Sequence, residues 1–220
     1  MKYIKKNKTL QIACDGGAAT GKSTGAKMIA KKYKLKFLSS GLLYRYASFL
    51  ILKDKPKNKY LFLKKKFKNL NYKFLDRINL HTPLISQNSA HIAKNKKIRQ
   101  ILRTYQINFA KKNKRCCIEG RDISTKILPQ SDLKFFFKCS LSIASKRRFN
   151  ELKKTKIKVK FKEVKKALRI RNISDINRKH SPLLRHRNSI EIDTGKLNKQ
   201  AMVNKMSIYI EKLLKEKNGY

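Results

Sequence analysis

Gly16-Gly17-Ala18-Ala19-Thr20-Gly21-Lys22-Ser23 follows the apolar run Leu10-Gln11-Ile12-Ala13-Cys14 and precedes helix formers in which Ala26, Ile29 and Ala30 share one side. The octet satisfies G-x-x-x-x-G-K-[ST] at every constrained position, with a strand signal before it and a helix signal after it. Glycines let backbone N–H groups turn inward around phosphate oxygens. The N-terminus of the following helix adds the positive end of its dipole. Lys22 is then placed to reach the β- and γ-phosphates of a nucleoside triphosphate, and the Ser23 hydroxyl to ligate Mg²⁺. On this reading Gly16, Gly17, Ala18, Ala19, Thr20, Gly21, Lys22, Ser23 and Thr24 bind a nucleotide's phosphates, and the loop alone does not distinguish a GTPase, an ATPase or a kinase. A tight glycine turn with a solvated lysine is the plain alternative, but four such positions coincide by chance in fewer than about one chain in a hundred. No Asn-Lys-x-Asp guanine motif occurs in the chain, which weighs against a GTPase.

Outward from the octet, short apolar runs alternate with helical stretches. Thr9 to Cys14, Leu35 to Leu38, Cys116-Cys117-Ile118, Leu133 to Phe137 and Ile190 to Asp193 read as strands. Ser23 to Tyr33 reads as a helix, and Asn198 to Lys215 as a C-terminal helix with Met202, Met206, Ile210 and Leu213-Leu214 at helical spacing. Strands interspersed with helices indicate a parallel α/β sheet covered on both faces. Two regions depart from this rhythm. Lys53 to Leu84 is rich in Lys and Asn, with Pro56 and Pro83, and reads as an insertion packed on the core or as a mobile subdomain. Arg147 to Arg187 is helical in propensity and dense in Arg, as a moving cover would be.

The 220 residues fit one α/β domain with insertions, long enough to bury a core without disulfides. Lys and Arg number 57 against 13 Asp and Glu, a net charge of +44. Such a balance suggests a nucleic-acid binder. The cations are nevertheless spread along the chain, at Lys5-Lys6, Lys31-Lys32, Lys64 to Lys66, Lys111-Lys112 and Lys153-Lys154. A compositional bias toward lysine on a tolerant surface accounts for that spread, so only weak, non-specific nucleic-acid binding is expected. Cys14, Cys116, Cys117 and Cys139 form no CxxC pair and sit in or beside apolar runs, as buried thiols in a reducing, cytoplasmic setting do. The longest apolar stretch, around Ala47 to Leu52, is too short for a membrane span. The basic N-terminus leads into an apolar run that Asp15 and the glycines end too early for a signal peptide.

Four further blocks follow in order: Ser39-Ser40-Gly41-Leu42-Leu43-Tyr44-Arg45, Glu119-Gly120-Arg121-Asp122-Ile123-Ser124-Thr125, Arg171-Asn172-Ile173-Ser174-Asp175-Ile176-Asn177-Arg178, and Ser181-Pro182-Leu183 with Ile192-Asp193-Thr194 beyond it. A glycine bend with an aromatic and an arginine one turn later can hold an acceptor phosphate. A polar block directly after a parallel strand faces the ligand crevice. From about Ile12 to Thr194 the chain resembles the cytidylate kinases, nucleoside monophosphate kinases whose pattern is a phosphate loop, D-S/T-G-x-x-Y-R, D/E-G-R-D-I-G-T, then an Arg-rich lid ending in R-D-x-x-D-x-x-R and a P-L stretch.

The resemblance implies a parallel five-stranded P-loop kinase core with helices on both faces, all within one domain over residues 1–220. It adds a monophosphate-binding insertion at about 53–98 and a lid at about 147–187. The implied reaction is transfer of the γ-phosphate of ATP to CMP or dCMP by a monomeric enzyme with Mg²⁺. Ser40, Arg45 and Arg121 would hold the CMP phosphate, and Tyr44 would pack against the nucleotide. Arg99 and Asp122 would read the cytosine edge, Arg171 and Asp175 would bind ribose, and Arg147 and Arg148 would clamp ATP. Lys22, Arg121 and Arg178 would carry catalysis by neutralising charge on the transferring phosphate.

The sequence departs from the pattern in several places. Ala19 replaces the loop's third glycine, and Ser39 stands where an acid precedes Ser40. Ser124 replaces the glycine of G-R-D-I-G, and Asn172 replaces the lid's first acid. The serine expected near the base falls on Ala90, with Ser89 beside it. The competing readings are another small-molecule P-loop kinase and, from a different class, a basic nucleic-acid-binding protein with a nucleotide loop.

Overall fold

The computed structural model describes residues 9–154 and 158–218. The Lys5-Lys6 pair and residues 155–157 of the expected lid lie outside the described residues. The chain divides into two compact units, one made of residues 1–37 and 114–220, the other of Leu38–Asn113.

The first unit carries the sheet. Its strand order is β2-β3-β1-β4-β5, with β1 at Leu10–Gly16, β2 at Lys36–Ser39, β3 at Arg115–Gly120, β4 at Leu133–Lys138 and β5 at Ile190–Asp193. β1 pairs in parallel with β3 on one side and with β4 on the other, and β4 pairs in parallel with β5. The last two residues of β2 belong to the second unit. Each strand found corresponds to an apolar run of the sequence, with ends that coincide or differ by one or two residues. β1 is central, and only Gln11 of its seven residues is not buried. A strand covered on both faces needs that near-continuous apolar run, in place of the alternation of a half-exposed strand.

Helix α1, Lys22–Lys32, and the C-terminal helix α8, Lys199–Asn218, pack against the sheet. The core there joins Leu10, Ile12 and Cys14 of β1 to Ile29, Phe135, Phe137, Met206 and Ile210. Each such side chain contributes about 1.5–3 kcal/mol through burial. A smaller cluster, Ala18 with Ala144, Val164 and Leu168, ties the glycine-rich loop to helices α6, Leu141–Lys154, and α7, Phe161–Asn177. These two helices supply residues 147–154 and 161–177 of the segment expected as the lid.

The second unit is helical. It holds α2 at Ser40–Asp54, α3 at Lys59–Lys68, a 3₁₀ turn at Tyr72–Arg77, α4 at Pro83–Ile92 and α5 at Lys96–Lys112. The expected insertion lies wholly within this unit. The helices start where short polar side chains satisfy orphan N–H groups: Ser39, Asn58, Thr82 and Asn95 cap α2, α3, α4 and α5, and Pro83 opens α4. Part of the asparagine content of this unit, Asn58 and Asn95, thus supplies caps. Leu43, Leu63, Leu80 and Leu102 are fully buried in this unit, and Phe67 packs edge-on to Tyr105.

Candidate active site

The phosphate loop leaves β1 against the backbone of β4. A Cβ built at Gly16 would lie 2.4 Å from the Phe137 carbonyl oxygen, so only glycine fits. Gly21 precedes α1 with φ of 81°, in the left-handed region that glycine adopts without strain. Among the described residues no side chain caps α1, which leaves its first amides pointing at the loop, the arrangement that binds phosphate. The loop is braced from within, where the Thr20 hydroxyl donates to the Gly17 carbonyl at 3.0 Å. It is also braced from β5, where the Thr194 hydroxyl donates to the Thr20 carbonyl at 2.8 Å. Arg147, expected to clamp ATP, is anchored through Thr194, donating to its hydroxyl at 2.9 Å and its carbonyl at 2.8 Å. Arg148 turns to the surface and pairs with Glu151 at 3.1 Å.

Lys22 is buried, with its Nζ 3.5 Å from a Glu119 carboxylate oxygen and 3.4 Å from the Gly17 carbonyl. Burial pushes its pKa down to about 8; the Arg121 and Arg171 charges add to the fall and Glu119 opposes it. The amine is therefore desolvated beside the loop, where an anionic phosphate gains most from it. Ser23 and Thr24 are exposed in the first turn of α1. No group of three or more His, Cys, Asp or Glu that could hold a metal occurs among the described residues. Ser23 suits Mg²⁺ all the same, because that ion keeps several waters and is held largely by substrate phosphates.

At the C-terminal end of β3 the polar block meets α7. Arg121 Nε donates to Asp175 at 2.8 Å, and Arg178 Nη1 donates to the other oxygen of Asp175 at 3.2 Å. Arg178 also approaches Asp122 at 4.0 Å and donates to the Ser181 carbonyl at 2.6 Å. Burial alone would raise the Asp175 carboxyl, but Arg121, Arg171 and Arg178 outweigh it and hold the group below its ordinary value. The structure therefore brings Lys22, Arg121, Asp122, Asp175 and Arg178 into one unit, with the three arginines that the lid block contributes or faces gathered around one carboxylate.

The remaining expected residues lie in the second unit. Ser40 is buried in the first turn of α2, beside the capping Ser39. The Arg45 guanidinium lies one turn on, 3.8 Å from where a Gly41 Cβ would stand. Arg99, also buried, sits over the Tyr44 ring at 5.6 Å and donates to the Ala93 carbonyl at 3.0 Å. The Ser89 hydroxyl donates to the Ser86 carbonyl within α4 at 2.8 Å.

Sequence reasoning gives no site role to four residues that the geometry singles out. Glu119 partners Lys22, and Thr194 braces the loop. Asn172 accepts from the Ala18 amide at 3.2 Å through its side chain. Asp15, fully buried, accepts hydrogen bonds from the turn after β3. The signal for Asp15 in the sequence is an ionisable residue closing an apolar strand.

The family model described as cytidylate kinase matches residues 12–212. A cytidylate kinase of Bartonella tribocorum is 35% identical, over 94% of this chain and 97% of that protein. Cytidylate kinases of Fusobacterium nucleatum and Mesomycoplasma hyopneumoniae are each 32% identical, over 92% and 91% of this chain and 97% and 93% of theirs. Among solved structures, a shikimate kinase from Bacteroides thetaiotaomicron covers 92% of this chain and 99% of its own at a TM-score of 0.53 and 9% identity. An uncharacterized protein from Eubacterium ventriosum covers 93% and 99% at a TM-score of 0.56 and 17% identity. These two likenesses concern the fold alone.

Proposed function

This chain belongs to the cytidylate kinase family, and from that premise we propose which of its side chains carry the reaction. The enzyme transfers the γ-phosphate of ATP to CMP or dCMP, giving ADP and CDP or dCDP. The observation that carries the assignment of roles is the buried Lys22–Glu119 pair beside an uncapped helix N-terminus. Glu119 holds the lysine against the loop, and an incoming triphosphate offers the amine a stronger partner.

No covalent intermediate is needed, because an oxygen of the monophosphate is already a nucleophile. The protein positions that oxygen in line and neutralises charge on the equatorial oxygens. Lys22, Arg121 and Arg178 supply this neutralisation, and Arg171 and Asp175 bind the acceptor ribose. Asp122 reads the base. An ionised carboxylate only accepts hydrogen bonds, so it favours the N4 amino group of cytosine over the O4 of uracil. In the second unit Ser40 and Arg45 bind the acceptor phosphate, Tyr44 packs against the nucleotide and Arg99 supports base recognition. Ser23 would hold Mg²⁺ together with the phosphates, and the ion would supply further charge neutralisation. Arg147 orders the loop through Thr194, and Arg148 lies on the helix that would close over ATP. The four free cysteines support a reducing, cytoplasmic setting, and the dispersed positive charge supports a monomer that binds nucleic acid weakly and without sequence preference.

The test is ADP release with Mg-ATP across CMP, dCMP, UMP, AMP, GMP and shikimate, with Lys22→Ala as the comparison. Cytidylates should be the preferred acceptors, and Lys22→Ala should lower turnover by about 10²–10³-fold or more while leaving the fold intact. Preference for any other acceptor, or a Lys22→Ala enzyme of near-normal activity, overturns the assignment.

A further inference from the structure

Asp15 stands opposite Gly120 in the β1–β3 register, one residue before the phosphate loop. Its carboxylate does not face that loop's amides. It accepts from the Ile123 amide at 2.8 Å, the Ser124 amide at 2.7 Å and the Ser124 hydroxyl at 2.6 Å. These amides open a π turn, Ile123–Ile127, closed by Lys126 and Ile127 donating to the Asp122 carbonyl and by Leu128 donating to that of Ile123. The first amides of such a turn have no partner within it, and Asp15 satisfies both. The turn directly follows Arg121 and Asp122. Its backbone is thus fixed from β3 on one side and from the Asp15 carboxylate on the other.

We infer that Asp15, clasped by Ser124, is a positioning residue for the acceptor nucleotide: it sets the place of Arg121 and Asp122, although in sequence it adjoins the ATP loop. This inference rests on the proposed acceptor roles of Arg121 and Asp122. A second observation separates it from a mere staple of the fold. Burial raises the Asp15 carboxyl to about 6 against the pull of its hydrogen bonds, with the nearby Asp122 charge adding to the rise. Holding the group ionised at neutral pH therefore costs the fold some stability. The Ser124 hydroxyl, at a position where the resembling pattern has glycine, adds a third donor to this clasp.

The experiment measures KM for CMP and for ATP separately in wild type, Asp15→Asn, Ser124→Ala and the double variant, with urea unfolding on each. Asp15→Asn should raise KM for CMP by about ten- to a hundredfold, the weight of one charge-assisted hydrogen bond, and Ser124→Ala by about three- to tenfold. KM for ATP should stay within about twofold, and the double variant should resemble Asp15→Asn, as expected for two groups acting through one contact. If Asp15→Asn does not fold, Ser124→Ala carries the same comparison. A rise in KM for ATP equal to or above that for CMP would place Asp15 in the donor site and overturn the inference. So would unchanged kinetics with altered stability alone. Asp122→Asn run in parallel keeps the two readings apart. A CMP-to-UMP preference that ignores this change refutes base reading by Asp122, whereas the KM comparison in Asp15→Asn still decides the positioning role through Arg121.

Discussion

Ala19 adopts a φ of 56° in the middle of the phosphate loop, where the family pattern has glycine. A Cβ in the left-handed region crowds the following carbonyl, at a cost of roughly 1–2 kcal/mol, part of which glycine's larger unfolded-state entropy cancels. Ala19→Gly should therefore stabilise the protein by about 0.5–1 kcal/mol, read as a higher urea midpoint. A lower midpoint would mean that the packing of this methyl beside α6 and α7 outweighs the strain. The residue scale is where the sequence was both most and least legible. Lys22 and its loop were plain, because the motif's chemistry is local. Asp15 was not, because an acid inside an apolar run shows its purpose only when the groups it faces are known.

Helix α7 shows how an element gathers a site. Arg171 and Asp175, four apart, share one face of the helix, and Arg178, the residue that ends it in extended backbone, folds back to the same carboxylate. The Leu183 amide returns to the Asp175 carbonyl at 2.7 Å, fixing the chain where the helix ends. Asp175 is the counter-charge for this face. Its replacement by Asn leaves Arg121 and Arg178, both largely buried, without their shared carboxylate, and should destabilise the protein by about 3 kcal/mol near neutral pH. The pH dependence follows from the direction of the shift. The folded-state carboxyl is held below its ordinary value of 3.8, so the stabilisation is complete above that value and is lost as pH falls through the lower, folded-state one. Urea midpoints of wild type and Asp175→Asn should thus differ at about pH 6–7 and converge on acidification below about pH 4. A gap that stays constant with pH would mean that the aspartate's charge is not what stabilises this face.

For the molecule as a whole, 57 cations against 13 acids leave most lysines with no acid to pair with. The surface ion pairs found, such as Lys32 with Glu211 and Arg185 with Glu191, relieve little of that excess. Self-repulsion favours the expanded chain and is screened by salt, whose Debye length falls from about 10 Å at 0.1 M to about 3 Å at 1 M. The melting temperature should rise by several degrees, about 5 °C or more, as NaCl is raised from low to high concentration. A salt-independent melting temperature would show that the excess charge does not burden the fold. Taken alone, the sequence determined the phosphate loop, the parallel α/β class, the positions of all five strands and the family resemblance. Each of these depends on residues adjacent in the chain or repeating at a fixed period, and such patterns survive without coordinates. Only the tertiary structure decided which charges meet. Lys22 leans on Glu119, Arg121 reaches Asp175 across 54 residues, and Asp15 holds a turn 109 residues away through Ser124. In a chain this rich in cations nothing local marks which lysine or arginine will be buried beside a carboxylate; strand register and helix packing make that choice, because they alone bring distant side chains within hydrogen-bonding distance.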